Sequence, residues 1–293
     1  MPITRPAAVA GMFYPADPAR LAATVGGLLQ HAAASAVTAT PGAGIDPAPK
    51  ALIVPHAGYP YSGATAASAY ALLASQRRRV RRVVLLGPVH RVPVRGLALP
   101  QADAFETPLG RVRIDADAVA ALRDLPQVVG SRAAHAQEHS LEVQLPLLQM
   151  ALDDFELLPL AVDDASAAEV AEVIERLWGG PETLIVISSD LSHFLDYESA
   201  QATDAATVRR MLALEGGISH RQACGATPIN GLLLAARRRS LTARLVAQCN
   251  SGDSAGDRSR VVGYASLAFH PALPTATTAG TPAISAKETA HVN

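Results

Sequence analysis

Three stretches decide the fold: ALIVPHAGY at 51–59, VVLLGPVHR at 83–91 and LIVISSDLSHF at 184–194. Each begins with an unbroken aliphatic run, without the alternation of apolar and polar residues that marks a strand with one face in water. Such runs are typical of strands buried on both faces of a sheet. A histidine follows each run, so the same stretches also locate the candidate chemistry.

Two further apolar runs cover 157–162 and 245–247. Segments rich in Ala, Leu, Arg and Glu are predicted to be helices, and they cover 64–73, 116–122, 141–150, 165–177, 200–214 and 229–239. Strands that alternate with helices are typical of a sheet covered by helices on both faces. The sequence therefore predicts an α/β fold with a mainly parallel central sheet.

The chain is predicted to form one domain over residues 1–270, because neither a repeat nor a shift in composition divides it. Within this domain, SAVTATPGAGIDPAPK at 35–50 is rich in Pro, Gly and Ala and is predicted to be a surface loop. Residues 271–293 are rich in Pro, Thr and Ala and show no periodicity. They are predicted to be a flexible tail.

Charge and composition exclude some classes of function. The 293 residues carry a formal net charge of −1, which argues against nucleic acid or anionic lipid as a partner. The two cysteines, Cys224 and Cys249, form neither a zinc-ribbon spacing nor a disulfide framework. No signal-peptide pattern and no apolar run of roughly 20 residues is present. We therefore expect a cytoplasmic protein.

Arginines are concentrated in two runs, at 77–82 and at 237–239. Each run is predicted to lie at the end of a helix, where cations complement the helix dipole and bind free carbonyl groups. A binding patch is the alternative interpretation.

The residues that follow the three strands are predicted to share one pocket. They are His56, His90 and His193, with Asp190 just before the last. The carboxyl ends of parallel strands meet at one edge of the sheet, where ligands bind in such folds. Imidazole suits iron, copper and zinc, and two histidines with one carboxylate form the non-haem Fe(II) set. The alternative is that each histidine is a structural residue beside its strand.

A fourth cluster, HAQEHSLEVQLPLL at 135–148, contains His135, Glu138, His139, Glu142 and Gln144. The order HExxH is absent, because Glu138 directly precedes His139, and this disfavours a zincin. His139 and Glu142 lie at the start of a predicted helix. Their side chains face either the pocket or nearby backbone groups.

The segment QCNSGDSAGDRSRVVGYASLAF at 248–269 contains a polar stretch between two predicted strands. Its simplest interpretation is a hairpin turn. Because it also leaves the ligand edge, Asp253 is available as a third metal ligand. Cys249 and Asp257 compete for that role.

Eight of these segments together resemble the Memo family, known in bacteria as AmmeMemoRadiSam system protein B and related to class III extradiol dioxygenases of the LigB type. The segments are RPAAVAGMFYP (5–15), PHAGYPYSG (55–63), LLGPVH (85–90), FETPLG (105–110), EHSLEVQLPLL (138–148), ISSDLSHF (187–194), CGATPI (224–229) and NSGDSAGDRSRVVGYA (250–265).

The resemblance implies a three-layer αβα fold with a metal pocket. Its first two ligands match His56 and His90, His193 matches the catalytic base of the dioxygenases, and Asp190 lies in the same pocket. Fe(II) is the implied metal, with copper or zinc as alternatives.

The resemblance also implies a third ligand from the final strand and turn, where characterised relatives use a cysteine and the dioxygenases a glutamate. That position falls on or near Asp253 and Ser254. Cys249 lies upstream of it, and Cys224 belongs to a different motif of the family.

The implied activity is an iron-dependent oxidation of a small aromatic or protein-borne group, in which His193 takes a proton from a substrate hydroxyl and returns it. Tyr59 and Tyr61 either line this pocket or pack within their loop. The alternatives are a peptide-docking adaptor without turnover and a zinc hydrolase. The resemblance implies a radical SAM enzyme and an AMMECR-type protein as partners.

Overall fold

The computed structural model of the chain describes residues 2–39, 48–254 and 256–272. The strands are β1 (Thr4–Arg5), β2 (Ala51–Val54), β3 (Arg82–Pro88), β4 (Leu97–Leu99), β5 (Ala104–Thr107), β6 (Gly110–Arg113), β7 (Val128–Gly130), β8 (Glu156–Val162), β9 (Thr183–Ser188), β10 (His193–Leu195), β11 (Leu241–Asn250) and β12 (Val261–Pro271). The helices are α1 (Pro18–Ala39), α2 (Tyr59–Ala71), α3 (Ala116–Ala120), α4 (Arg132–Ala136), α5 (Leu145–Ala151), α6 (Ala167–Arg176), α7 (Tyr197–Leu212), α8 (Ala226–Arg238) and α9 (Ser251–Ser254). Two 3₁₀ turns cover Ala74–Gln76 and Glu142–Gln144.

The main sheet has the strand order β10-β12-β2-β9-β3-β8-β4-β7, and β11 pairs with β12. Its four central strands, β2, β9, β3 and β8, are parallel. The outer strands are mostly antiparallel: β12 runs against β2, β10 and β11, and β4 runs against β8. The predicted α/β fold is confirmed, and the sheet is mixed, with a parallel centre.

The helices cover both faces of this sheet. Val84 and Leu86 of β3 face one hydrophobic cluster, which includes buried residues of α6 and α8. Val83 and Leu85 face the other cluster, with residues of α1, α2 and α5. Successive side chains of a strand point to opposite faces, so an unbroken apolar run supplies both layers at once. The result is the three-layer αβα arrangement.

The five predicted apolar runs are β2, β3, β8, β9 and β11, and the six predicted helices are α2, α3, α5, α6, α7 and α8. The predicted helix 141–150 is divided. A 3₁₀ turn covers Glu142–Gln144, and α5 starts at Leu145 with Pro146 in its first turn, where proline is tolerated. The 3₁₀ turn matters below, because its polar residues are buried beside the candidate site.

Helix α1 differs from prediction. It was not expected, and its last residues overlap the predicted loop 35–50. Gly26 and Gly27 and the scarcity of charged residues weaken its pattern, although its many alanines are strong helix formers. Within this loop and the predicted tail, residues 40–47 and 273–293 lie outside the described residues.

Among the helices in the described parts of the chain, none combines the length and the apolar character needed to cross a membrane.

Candidate metal centre

The carboxyl ends of β2, β9 and β3 lie side by side, and the residues that follow them form the candidate metal centre. His56 follows β2, Asp190 follows β9 and His90 follows β3. The ring centroids of His56 and His90 lie 5.3 Å apart. The ring of His139 lies 4.5 Å from that of His90 and 5.3 Å from that of His56. Neighbouring parallel strands thus bring together imidazoles that are distant in the chain.

Behind His56 lies a buried polar side chain, Gln144, whose orientation is fixed by its neighbours. Its amide nitrogen donates to the carbonyl of Pro55 at 2.9 Å, and a carbonyl can only accept. The amide oxygen therefore accepts from the hydroxyl of Tyr70 at 3.0 Å. The second amide proton is donated to Oγ of Ser188 at 2.8 Å.

Ser188 in turn fixes the protonation of the His56 ring. The Ser188 hydroxyl donates its single proton to the carbonyl of Ser140, so Oγ can only accept from Nδ1 of His56, 2.9 Å away. His56 is therefore protonated on Nδ1 and carries its lone pair on Nε2. Burial and the neighbouring histidines lower the pKa of His56, which keeps the ring neutral.

His90 has the same tautomer for a different reason. Its Nδ1 donates to Oε1 of Glu138 at 2.8 Å. Glu138 also accepts from the backbone N–H groups of His90, His139 and Ser140. Burial raises the pKa of Glu138, but the hydrogen bonds from the His90 ring and from the N–H of Ser140 outweigh burial and lower it to about 2. A carboxylate behind the histidine is the arrangement that orients metal-binding imidazoles.

Cys224 approaches the same point from the turn before α8. A Cβ on Gly225 would lie 2.7 Å from the Cβ of Ser189, so only glycine lets this turn pack so closely against the end of β9. The sulfur of Cys224 lies 3.4 Å from Nε2 of His56 and accepts from the N–H of Asp190 at 3.3 Å. Burial, with a smaller effect of Asp190, raises the pKa of the thiol to about 12.

Within the described chain, two sets of side chains could hold a metal ion. In the first, the ligand atoms of His56, His90 and Cys224 lie within 4.8 Å of one another. The second combines His90, Glu138 and His139, but the Glu138 oxygens already accept four hydrogen bonds. The first set fits a metal better, because both imidazole Nδ1 atoms are engaged elsewhere and both Nε2 lone pairs remain.

His193 lies beside this set. Its Nδ1 donates to the carbonyl of Leu191 at 2.9 Å, so Nε2 carries the lone pair. Burial lowers the pKa of His193, with a smaller effect from His90. The next residue, Phe194, has φ of 62°, in the left-handed region that non-glycine residues rarely adopt, and such strain is concentrated at functional sites.

Asp190 is buried at the base of the site. Its Oδ1 accepts from the backbone N–H of His56 at 2.7 Å. Burial raises its pKa to about 7, although the N–H groups of His56 and Ala57 act in the opposite direction. Asp190 thus supports the turn that carries His56 and brings a titratable proton close to it.

Asp253, the predicted third ligand, belongs to neither set of possible metal ligands. It is exposed in α9, where its oxygens accept from the hydroxyl of Tyr197 at 2.7 Å and from the N–H of Asn250 at 2.9 Å. The competing Cys249 lies 3.0 Å from Oγ1 of Thr65. The other competitor, Asp257, is exposed and accepts from the N–H and hydroxyl of Ser259.

A cavity of about 500 Å³ adjoins this region, and four of the predicted residues line it. Those four are Tyr59, Tyr61, Cys249 and Asp253. Tyr59 is buried and donates to the carbonyl of Val143 at 2.9 Å, whereas Tyr61 is 46% exposed. Tyr264 is close to both regions, since Asp190, Cys249 and Tyr61 all contribute to raising its pKa after burial.

Glu142 faces away from the metal set. The sequence left open whether it faces the pocket or backbone groups, and the structure directs it to the segment before α1. Its carboxylate forms a buried ion pair and accepts three further hydrogen bonds. The donors are Arg5, the N–H groups of Ala8 and Val9, and the hydroxyl of Tyr14.

Sequence reasoning missed Ser188, and it placed Gln144 in the fourth cluster without a role behind a ligand. Ser188 is the polar end of an otherwise aliphatic strand, and Gln144 is a polar residue in an apolar stretch. Both are signals of a buried polar role, since such groups require hydrogen-bond partners. Neither signal says which ligand the residue supports, because the partners come from other elements.

The fold and the donor set define an α/β protein with a candidate His/His/Cys metal centre at the carboxyl edge of its sheet. A family model described as Memo-like protein matches residues 5–268. The chain belongs to the Memo-like family.

Relatives of similar length support this assignment. A MEMO1 family protein of Methanothermobacter thermautotrophicus is 36% identical and covers 90% of this chain and 99% of its own. One from Aquifex aeolicus is 36% identical and covers 90% and 98%. Among solved structures, the uncharacterized protein JW3007 from Escherichia coli K12 is 15% identical, with a TM-score of 0.46 over 74% of this chain and 98% of that one.

Proposed function

We propose that this protein is a metal-dependent oxidoreductase whose resident ion is Fe(II), held by His56, His90 and Cys224. The observation that carries the proposal is that ligand atoms of His56, His90 and Cys224 lie within 4.8 Å of one another, with Nε2 of His56 3.4 Å from the sulfur and His193 near His56. Imidazole binds iron readily, and bound iron would supply the O₂ and one-electron chemistry that side chains lack. Cys224 thereby replaces Asp253 as our third ligand.

The protein's own part in the reaction is proton transfer and positioning. His193 is neutral near pH 7, because burial lowers its pKa, and its free Nε2 accepts a proton from a substrate hydroxyl. The hydrogen bond from Nδ1 to Leu191 holds the ring in place during the transfer. His193 returns the proton when product forms.

We infer the substrate class from the cavity that Tyr59 and Tyr61 line, although its lining includes none of the three proposed ligands. Its volume of about 500 Å³ lies in the range of small-molecule pockets, and tyrosines at 59 and 61 line it. Aromatic walls favour a flat, oxidisable substrate such as a phenol or catechol, free or carried by a protein side chain. A cavity that is open to solvent admits either kind.

The proposal is tested by metal analysis after anaerobic purification. We expect about one iron per chain in the unchanged protein, and strong loss of iron in His90→Ala and Cys224→Ser, because each loses one of only three protein ligands. Asp253→Asn should retain iron. Loss of iron in Asp253→Asn but not in Cys224→Ser would return the third-ligand role to Asp253.

The role of His193 needs a second measurement. His193→Gln should keep its iron but lose O₂ consumption with a panel of catechols by about 10²–10⁴-fold, the usual contribution of a general base. Equal loss of iron in His193→Gln and His90→Ala would show that His193 is a ligand instead.

Zinc is the second candidate, because a site of two imidazoles and one thiolate also suits that metal. A zinc-loaded protein with hydrolytic activity and no O₂ consumption would replace the oxidoreductase proposal. The same elemental analysis separates the two metals.

A further inference from the structure

A second cleft lies at the amino ends of the central strands, opposite the candidate metal centre at their carboxyl ends. Its lining includes Lys50, which precedes β2, and Thr183, which begins β9. The metal centre follows the carboxyl ends of these strands, so the two sites are separated by the strand length, about 13–20 Å for four to six residues. The cleft has a volume of about 450 Å³, within the range of small-molecule sites.

Both arginine runs contribute a positively charged side chain to the cleft. The run 77–82 follows the 3₁₀ turn Ala74–Gln76, which comes after α2 ends at Ala71, and the run 237–239 closes α8. Most of these arginines form ion pairs away from the cleft; the paired ones are Arg77, Arg78, Arg81, Arg82 and Arg238. Arg79 and Arg239, which line the cleft, have no carboxylate partner within the described residues.

Lys50 adds a third cation, and it is a buried one. Its ammonium donates to the carbonyls of Gly180 at 2.8 Å and Thr183 at 2.7 Å, which leaves one of its three protons without an acceptor in the described chain. Burial lowers its pKa to about 8, Glu182 acts in the opposite direction, and Arg239 lowers it further. The carboxylate that acts on Lys50, Glu182, is half-buried and does not line the cleft, whereas the cleft itself is lined by three positive groups.

The aromatic wall of the cleft is already occupied by cations. The guanidinium of Arg239 lies 5.0 Å from the ring centroid of Trp178, and the ammonium of Lys50 lies 5.4 Å from it. The ring therefore orients the two cations and is not free to stack on a flat ligand. Recognition in this cleft has to come from charge.

We propose that this cleft, formed by Lys50, Arg79, Arg239 and Trp178, is a binding site for a small multivalent anion that carries phosphate or carboxylate groups. Guanidinium groups bind both kinds of anion in a bidentate manner, and the ammonium contributes a compact charge between them. The anion satisfies the third proton of Lys50 and separates the positive groups. This site is independent of the metal centre and of the proposed oxidation.

Tryptophan fluorescence can detect binding in this cleft, because Trp178 is the single tryptophan of the chain. The full-length protein is titrated with pyrophosphate and, separately, with citrate, at constant ionic strength maintained with KCl. We expect a saturable change in tryptophan fluorescence with at least one of them. A lower Kd for pyrophosphate assigns phosphate groups to the ligand, and a lower Kd for citrate assigns carboxylates.

Two variants and a matched control test the residues. Arg79→Gln and Arg239→Gln should each raise Kd about tenfold, the effect of losing one charge-assisted hydrogen bond. The control is Arg78→Gln, a neighbour in the same run whose side chain pairs with Asp153 outside the cleft. Thermal unfolding checks that each variant is folded, and both arginines are exposed.

Two results would overturn the proposal. One is the absence of saturation with both anions, which would show that neither anion binds at a defined site. The other is an equal rise of Kd in Arg78→Gln and Arg79→Gln, which would indicate general surface charge. A loss of metal from the candidate centre has no bearing on either result.

Discussion

A series of hydrogen bonds, each with a determined direction, places the lone pair of the His56 ring on Nε2. Tyr70 donates to Gln144, Gln144 donates to Ser188, and the Ser188 proton goes to a carbonyl. Only one arrangement of these protons satisfies every group, and it places the remaining donor of the network on Nδ1 of His56. The nitrogen that faces the candidate metal centre is thus determined by residues that contribute no ligand to it.

Ser188→Ala should therefore weaken metal binding without removing a ligand. The His56 ring loses the acceptor for its Nδ1 proton, and its orientation and tautomer are no longer fixed. We expect metal affinity to fall about 10–100-fold, as for other residues that orient metal-binding histidines. Competition with a chelator of known affinity measures the change.

The control for this prediction is Ser68→Ala, since the half-buried Ser68 donates only to the carbonyl of Ala64 within α2. Its metal affinity should equal that of the unchanged protein. An unaltered affinity in Ser188→Ala would mean that packing alone orients His56.

At the scale of elements, the 3₁₀ turn Glu142–Gln144 joins the site to the start of the chain. Gln144 supports Ser188, while Glu142 binds the segment before α1 through Arg5, Tyr14 and two backbone N–H groups. Arg5 also donates to the carbonyls of His135 and Glu138, next to the histidine-bearing loop. The first residues of the chain are therefore structurally coupled to the metal centre.

Glu142→Gln should cost about 3–5 kcal/mol of the free energy of unfolding, because it leaves the buried charge of Arg5 without its counter-ion. Unfolding in urea, followed by circular dichroism, measures the loss. The matched control is Glu175→Gln, which breaks the exposed pair with Arg238 and should cost less than about 1 kcal/mol. Equal losses in the two variants would show that the buried ion pair stabilises the fold no more than the exposed one.

At the scale of the whole molecule, buried neutral histidines make the fold sensitive to acid. His135 donates from Nε2 to the carbonyl of Ala98 at 2.7 Å, and burial lowers its pKa to about 4. In the unfolded chain its pKa is about 6.5. Between these values the unfolded state binds more protons, so the contribution of His135 is complete above pH 6.5 and is lost as the pH falls to 4.

His135→Gln should make the free energy of unfolding less sensitive to acid pH. Glutamine can still donate to Ala98 but does not titrate, so the drop in unfolding free energy between pH 7 and pH 4 should shrink by up to roughly 3 kcal/mol. Urea unfolding at a series of pH values gives this drop. The exposed His31 of α1 provides the control, since His31→Gln should leave the slope unchanged. An unchanged slope in His135→Gln would refute the assignment.

The sequence by itself determined the α/β class, the central strands and the family. Strands buried on both faces need apolar residues at every position, so the runs at 51–54, 83–86 and 184–187 were visible without any structure. The histidines after them were visible for the same reason, because a strand end is a position in the sequence. The sequence did not predict the outer strands β4 and β7 or helix α1. Each of these strands has only three residues, and the two faces of α1 differ little in polarity.

Only the tertiary structure decided how the site is assembled. Cys224 meets His56 because the turn before α8 packs against the end of β9, and Asp253 bonds to Tyr197 instead. The protonation of His56 and His90 depends on partners from other elements, and the cation cleft draws on residues from separate parts of the chain. These are long-range contacts, which composition and spacing do not encode, because a side chain's chemistry depends on what the fold places beside it.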